Sequence, residues 1–184
     1  HSNRMFSVAM QKPGSPRETP LPVAGLGLIR VAVAHRDGTS HLILQGLARV
    51  ELEQAVRYKP YRIQRIRPLQ TPPCDNVAVD ALIAKVRELL EERIELGLAF
   101  PFPMVSLDHS DSSPAPPSSS PKEMMQYLDS LTNLDQAVDL VSRTVLPGAV
   151  ERQAILETVD VEARLRRLIH FLLAEIRAKR EGSG

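Results

Sequence analysis

The sequence predicts an α+β fold in which β-strands come first along the chain and α-helices follow. Apolar residues alternate with a period of two over residues 4 to about 70, which is typical of half-buried strands. Beyond Thr71-Pro72-Pro73 they recur at spacings of three and four, which is typical of helices. We therefore predict a β domain over residues 1–72 and a helical domain over residues 73–184.

The composition indicates a globular chain without a membrane span. Its 184 residues are 43% hydrophobic, enough for one full domain or two small ones. Aromatic residues make up only 4%, so the core must rest on aliphatic side chains. The net charge of +1 argues against a nucleic-acid binder that is steered by its whole surface. Cys74 is the one cysteine, which excludes an internal disulfide and fits a reducing, cytoplasmic compartment. No apolar run approaches about 18 residues, so no membrane contact is expected.

The β half opens with an alternating strand around Phe6 and Val8, which the polar loop of residues 12–20 ends. Two longer apolar runs then flank Asp37-Gly38. This dipeptide favours the positive φ angles of a tight hairpin turn, so the two runs are predicted to pair antiparallel.

The second of these runs has a regular alternation. Every second position from Leu42 to Leu52 is apolar or glycine, and several intervening positions are charged. This pattern predicts one strand face in the core and the other in water. A last strand is predicted over residues 61–67, ending at Pro68.

The helical half opens with a helix of about five turns. Asp75 or Asn76 is its predicted N-cap, and the proline-containing stretch of residues 99–104 ends it. Residues 106–121 are rich in serine and proline and are predicted to form a flexible loop, because they have almost nothing to bury. The apolar stripe of the helix comprises Val79, Leu82, Ile83, Val86, Leu89, Leu90 and Ile94.

Further helices are predicted after this loop. A short one covers residues 122–128, and a capping box of Asn133 and Gln136 opens the next, which the Pro-Gly pair at 147–148 stops. The last two helices are separated near Asp160, whose carboxylate is placed to accept the free N–H groups of the final helix. That final helix carries a stripe of Val161, Leu165, Leu168, Ile169, Leu172, Leu173 and Ile176.

Five motifs in this order resemble the N-terminal, substrate-binding domain of Lon proteases. The first is a strand that ends in V-A-x-Q, and the second is a v-x-v-x-G-x-x-R-v signature. A Pro-Tyr pair and an L-A-D-x-I segment follow, and the string K/R-Q-x-L/I-L-E-x-x-D-V-x-x-R-L closes the domain. Within this string, the side chains of Gln153 and Arg164 are predicted to connect neighbouring helices. In this chain the motifs correspond to residues 5–11, 42–50, 60–61, 137–141 and 152–165.

The resemblance implies a PUA-like antiparallel β-barrel followed by an α-helical bundle. It also implies a non-catalytic module that captures unfolded or damaged polypeptides for ATP-dependent proteolysis, with protease or ATPase subunits as further partners. The chain departs from the family pattern in two places. The proline-rich first strand and helix that precede V-A-x-Q in the family are absent from these 184 residues, so either the barrel is incomplete or that segment lies outside them. Residues 108–120 are an unusual insertion.

No enzymatic activity is predicted for this chain. The sequence contains no G-x-x-x-x-G-K-S/T phosphate loop, and no serine-lysine catalytic pair can be placed. We therefore expect no catalytic residue, no cofactor and no metal site. The Gly-Leu-Gly run at 25–27 lacks the third glycine of a dinucleotide loop, and Asp108, His109 and Asp111 lack neighbours that would orient them as metal ligands.

Apolar side chains on both sides of the serine- and proline-rich loop are the candidate client-binding residues. Flexible, methionine-rich surfaces repack around varied partners, which suits the capture of unfolded chains. The candidates are Phe100, Phe102, Met104, Met124 and Met125. The alternative is that they pack in the core beside the bundle, which is the commoner role of Phe and Met.

Two rival functions stay open. Residues 57–67 combine cations, two tyrosines and no acid, which suits phosphate attraction and base stacking by a nucleic-acid reader. The cations are Arg57, Lys59, Arg62, Arg65 and Arg67. On an edge strand, however, such charges also prevent aggregation. The second rival is self-association or subunit docking through the apolar stripe of residues 161–176.

Overall fold

The computed structural model describes residues 4–15, 17–73, 76–98, 125–126 and 134–182. Contacts between Cα atoms divide the chain into two compact units, residues 1–71 and residues 72–184. We call them the sheet unit and the helical unit and describe each by itself. None of the helices in the described ranges is long and apolar enough to cross a membrane.

The sheet unit is a four-stranded antiparallel sheet whose strands lie in the order in which they occur along the chain. The strands are β1 (Met5–Val8), β2 (Val23–Ala34), β3 (Ser40–Arg57) and β4 (Ile63–Pro68). β1 and β4 are short edge strands, whereas β2 and β3 are long and pair with each other over most of the length of β2. The strands expected from the two-residue alternation are therefore present.

The turn between β2 and β3 is the predicted hairpin turn. Gly38 has a φ of 84°, a conformation that glycine adopts without steric cost. The N–H of His35 donates to the carbonyl of Thr39 over 2.8 Å. The carboxylate of Asp37 accepts from the Thr39 hydroxyl at 2.7 Å and from the Thr39 backbone N–H at 2.9 Å. Both bonds lower the pKa of the Asp37 carboxyl below its usual value, and the bond from the Thr39 hydroxyl has the larger effect. These bonds fix the conformation of the turn.

Irregular pairing changes the direction in which side chains of β3 point. Leu47 is an extra residue in β3 and has no partner in β2, and Arg30 is an extra residue in β2. Each extra residue reverses the alternation of faces along its strand. The prediction of one continuous core face over positions 42–52 is therefore wrong. Val50 is fully buried, whereas Leu42 is 43% exposed.

The helical unit packs its described helices around one apolar core. They are α1 (Asn76–Glu95), α2 (Leu134–Val145), α3 (Ala149–Glu157) and α4 (Val161–Glu181), and α4 contacts each of the others. The apolar stripes predicted for α1 and α4 are confirmed. The buried members of the core are Val79, Val86, Leu89, Leu90, Val138, Val141, Val145, Leu146, Ile155, Val161, Leu165, Leu168, Leu172 and Ile176. Strands followed by helices confirm the α+β class.

Two buried arginines connect α4 to its neighbours. Arg164 is fully buried and donates to Asp139 at 2.8 Å and to Asp135, both on α2. Arg93 on α1 is 1% exposed and donates to the two carboxylate oxygens of Glu175 on α4 at 2.8 and 2.9 Å. A charge removed from water needs such partners. The connecting role predicted for Arg164 is confirmed.

The start of α4 also follows its prediction. Asp160 has an extended backbone conformation, and its carboxylate accepts from the N–H of Ala163 at 2.7 Å, as an N-cap does. In α3, the side-chain amide of Gln153 donates to Glu157 of the same helix at 2.9 Å. The N-caps predicted for α1 and α2 lie outside the described side chains, as does the serine- and proline-rich loop. Of the short helix predicted over residues 122–128, the two described residues are helical.

Candidate binding surface of the sheet unit

Most of the predicted client-binding residues lie outside the described part of the chain. Phe100, Phe102, Met104 and Met124 belong to ranges that the structure does not describe. Met125 is described, and its partly buried side chain packs against the core of the helical unit. The exposed apolar surface of the described residues lies elsewhere, on the sheet unit.

Large apolar side chains are exposed mainly on the sheet unit. Among the described residues of the helical unit, Val77 and Val150 are exposed in this way. Among the described residues of the sheet unit, the buried apolar side chains are Ala24 and Val50. Single exposed apolar residues are ordinary, but their concentration on one unit indicates an interaction surface. The sheet unit exposes Met5, Phe6, Val8, Val31, Val33, Leu42, Ile43, Leu47, Val56, Tyr58, Tyr61, Ile63 and Ile66.

The β2–β3 hairpin extends beyond both of its neighbouring strands. β1 pairs with β2 only over residues 25–28, and β4 pairs with β3 only from Val50 onward. No described strand pairs with the outer edges of residues 30–34 and 40–44, which we call the ribbon. In an antiparallel pair, every second residue points its N–H and C=O away from the partner strand. The ribbon therefore presents backbone hydrogen-bonding groups to which a further strand could pair.

One face of the ribbon is largely apolar. The pairing places Val31 opposite Ile43 and Val33 opposite His41, so these four side chains share a face. Val31, Val33 and Ile43 are 42%, 49% and 37% exposed. Leu42 adds apolar surface on the opposite face. An extended peptide along the ribbon would therefore meet open backbone groups and apolar side chains together.

The connection between β3 and β4 is a second exposed feature, and we call its residues 57–62 the tyrosine loop. Tyr58 and Tyr61 are 67% and 63% exposed. The guanidinium of Arg57 lies 5.2 Å from the ring centre of Tyr61, and that of Arg62 lies 5.4 Å from the ring centre of Tyr58. Both are cation–π contacts, which orient the two exposed rings.

The five cations predicted for nucleic-acid binding have different surroundings. Arg67 is paired with Glu51 on β3, and its Nε lies 3.7 Å from a carboxylate oxygen of Glu53. Lys59 and Arg65 have no carboxylate partner among the described residues. Together with the two stacked arginines, they leave the tyrosine loop and the start of β4 positively charged.

The stripe predicted as an assembly surface is buried at five of its seven positions. Val161, Leu165, Leu168, Leu172 and Ile176 are buried within the helical unit, so these side chains are not available to a second chain while the unit is folded. Ile169 and Leu173 pack against the same core but are only partly buried. Self-association or subunit docking through this stripe stays a prediction.

Sequence comparison identifies the family of this chain. The family model for the ATP-dependent protease La (LON) substrate-binding domain matches residues 5–174. The chain belongs to the Lon substrate-binding domain family. The Lon protease of Chloroherpeton thalassium is 26% identical over 151 residues, which cover 82% of this chain and 16% of that protein. Lon protease 2 of Myxococcus xanthus is 30% identical over 132 residues, which cover 71% of this chain and 14% of that protein.

The chain thus spans less than a fifth of these Lon proteases. Its fold is similar to the solved N-terminal domain of Mycobacterium avium complex Lon protease, with a TM-score of 0.61 at 12% identity. That match covers 91% of this chain and 89% of the other. The predicted Lon-like α+β architecture is therefore confirmed, and the antiparallel sheet is consistent with a PUA-like form.

Sequence reasoning missed the ribbon as a candidate site. The signal that could have found it is the length of the two apolar runs on either side of Asp37-Gly38. β2 and β3 have 12 and 18 residues, whereas β1 and β4 have 4 and 6. Two long strands between two short ones must leave part of their edges open.

Proposed function

We propose that this chain is a non-catalytic recognition module that binds unfolded or damaged polypeptides for an ATP-dependent Lon-type protease. Membership of the Lon substrate-binding domain family supports this function. The observation that carries it is the ribbon, whose backbone edges are open and whose apolar side chains are exposed. The module would act in the cytoplasm, with protease or ATPase parts as its other partners.

An unfolded polypeptide matches the ribbon in two respects. Its backbone N–H and C=O groups are unpaired, so it can add to the ribbon as a further strand. Its alternate side chains can then contact Val31, Val33 and Ile43 on the apolar face. A folded protein has already paired its backbone groups internally and competes poorly. The ribbon would therefore bind polypeptides because they are unfolded, whatever their sequence.

The test makes the same substitution on the two units. Val31→Thr combined with Val33→Thr replaces one methyl group by a hydroxyl at each position and keeps the β-branched shape. Val77→Thr combined with Val150→Thr makes the same change on the helical unit, where these valines are 79% and 64% exposed. Fluorescence anisotropy of a labelled, permanently unfolded polypeptide measures the affinity of each variant.

We expect the ribbon variant to bind about tenfold more weakly, because each lost methyl contact contributes roughly 0.8 kcal/mol. The helical-unit variant should bind as tightly as the unmodified chain. Equal affinities for the two variants would contradict the ribbon as the client site.

The residues beside the serine- and proline-rich segment are proposed as a second client contact. Phe100, Phe102, Met104, Met124 and Met125 have the adaptable apolar chemistry that varied clients require. Phe100→Ser combined with Phe102→Ser should weaken binding further in the ribbon variant. If client affinity is unchanged while the fold persists, these residues do not belong to the site.

A second candidate function is the binding of single-stranded nucleic acid at the tyrosine loop. Tyr58 and Tyr61 are well exposed, and an arginine lies over each ring. Aromatic rings stack on bases of any sequence, and nearby cations attract the phosphates. Lys59 and Arg65 supply such charge.

A salt titration with a single-stranded oligonucleotide tests this function. Each phosphate contact contributes about −0.7 to the slope of log affinity against log salt, so four cations predict a slope of roughly −3. Arg65→Ala should make the slope shallower by about 0.7. Arg67→Ala is the matched control, because the charge of Arg67 is already paired with Glu51. An affinity that does not change with salt would exclude nucleic-acid binding.

A further inference from the structure

Two histidines meet at the closed end of the ribbon. His35 follows the last residue of β2, and His41 is the second residue of β3. His41 pairs with Val33, so His35, two positions further along, is its diagonal neighbour on the same face. Nε2 of His35 lies 3.0 Å from Nδ1 of His41, and the two rings are nearly perpendicular, with their centres 4.5 Å apart.

The backbone beneath these rings is held by the turn. The N–H of His35 donates to Thr39, and the N–H of Gly38 donates back to the carbonyl of His35 over 3.2 Å. Thr39 is bound in turn by the carboxylate of Asp37. A fixed backbone holds the two ligands near each other before an ion binds. This preorganisation is the main requirement for a small chelating site.

The two ring nitrogens are close enough to share one ion. In the hydrogen-bonded pair, one nitrogen carries a proton and the other accepts the hydrogen bond from it. A metal ion that replaces that proton would lie beside the line between the two nitrogens, so the rings must turn for the lone pairs of both neutral rings to bind it. We propose that His35 and His41 form a two-histidine site for a divalent transition-metal ion. The argument for this site does not rest on the proposed binding of clients, although His41 lies on the same face of the ribbon as Val31, Val33 and Ile43.

The spacing of the nitrogens also bears on which ion binds. With metal–nitrogen bonds of about 2.05 Å, nitrogens 3.0 Å apart subtend roughly 94° at the ion. This angle is close to the approximately 90° between neighbouring ligands of Cu²⁺ and Ni²⁺, and smaller than the roughly 109° of tetrahedral Zn²⁺. If the nitrogens keep this separation when the ion is bound, the site fits Cu²⁺ and Ni²⁺ better than Zn²⁺.

Water would complete the coordination of such an ion. Within the described ranges, no group of three or more His, Cys, Asp or Glu side chains is arranged to hold a metal. Both histidines are exposed, so an ion can reach them from solvent and leave again. While bound, it would connect the two strands of the ribbon through their side chains. The consequence is a ribbon that is stiffer at its closed end.

Isothermal titration of the full chain with NiCl2 tests the site. His35→Asn and His41→Asn each remove one ligand at an exposed position. His170→Asn is the matched control, since His170 is an exposed histidine on α4. His1→Asn and His109→Asn control for the two histidines outside the described residues.

We expect one tight Ni²⁺ per chain, and more than about a tenfold loss of affinity in either ligand variant, because the second imidazole acts at high effective concentration. The double variant His35→Asn with His41→Asn should lose little more than each single one, and the three control variants should bind as the unmodified chain does. Unchanged affinity in the ligand variants, or an equal loss in His170→Asn, would overturn the proposal.

A measurement on the unmodified chain avoids any effect of substitution on folding. Substoichiometric Cu²⁺ should broaden the imidazole proton signals of His35 and His41 before that of His170. Broadening that does not favour this pair would also overturn the proposal.

Discussion

The two units of this chain use apolar side chains for different purposes. The helical unit buries them in one core and connects its helices through the buried Arg93 and Arg164. The sheet unit buries Ala24 and Val50 and exposes most of its other large apolar side chains. A buried side chain stabilises the fold, whereas an exposed one remains able to contact a partner. We infer that the helical unit supplies stability and the sheet unit supplies the contact surface.

The largest predicted effect is the loss of a buried connection in the helical unit. Arg164→Ala removes the buried guanidinium that pairs with Asp135 and Asp139 and should destabilise the unit by about 3 kcal/mol, the low end for a broken buried pair because both aspartates are partly exposed. Arg177→Ala is the control at an exposed position of the same helix and should cost less than about 0.5 kcal/mol. Urea unfolding followed by circular dichroism at the helical band measures both. Similar midpoints would contradict the role of the buried arginine.

A second prediction makes one chemical change in both units. Val138→Thr puts a hydroxyl at a position that is 2% exposed and should cost about 1 to 3 kcal/mol. Val33→Thr makes the same change where the side chain is 49% exposed and should cost less than about 0.5 kcal/mol. Hydrogen exchange of peptides from each unit reports the two stabilities separately. If Val33→Thr proves as costly as Val138→Thr, the ribbon is not a solvent-exposed surface.

A third prediction concerns the small residues of β2. A Cβ at Gly27 would lie 3.3 Å from the carbonyl oxygen of Gln45 and 3.3 Å from Cβ of Leu44, so Gly27→Ala should destabilise the sheet unit by roughly 1 kcal/mol. A Cβ at Gly25 would meet nothing within 4 Å. Gly25→Ala should therefore be neutral, or stabilising by up to about 1 kcal/mol. Amide hydrogen exchange in the sheet unit measures both effects. Slower exchange in Gly27→Ala than in Gly25→Ala would contradict the close approach of β2 and β3.

The smallest predicted effect is at the start of α4. Asp160→Ala removes the bond to the N–H of Ala163 and should cost about 1 kcal/mol or less, because the cap is on the surface of the helical unit. Asp160→Asn keeps an accepting oxygen and should cost only a fraction of that. Thermal unfolding of the two variants measures the difference. Equal losses would mean that the charge of Asp160, rather than the hydrogen bond, stabilises the helix.

Features that depend on neighbouring residues could be predicted from the sequence. The turn at Gly38, the cap at Asp160 and the stripes of α1 and α4 each follow from local spacing, and the structure confirms them. The role of Arg164 was also accessible, because its place in the family-like string set it beside the preceding helices.

Features that depend on pairing between distant residues could not be predicted. The bulge at Leu47 exists only in the register between β2 and β3, and it reversed the face assigned to half of β3. The carboxylate that pairs with Arg93 belongs to Glu175, which lies 82 residues away along the chain. The ribbon and the contact between His35 and His41 likewise arise from how far one strand extends past another, which no single run of residues contains.

Amide hydrogen exchange with and without an unfolded polypeptide tests the central claim most directly. A client that adds as a strand would pair with the outward N–H groups of one edge of the ribbon, so residues 30–34 or residues 40–44 should exchange more slowly in its presence. Amides of the helical unit should exchange at unchanged rates. Client binding that protects α1 to α4 or the tyrosine loop, and leaves the ribbon unprotected, would contradict the account.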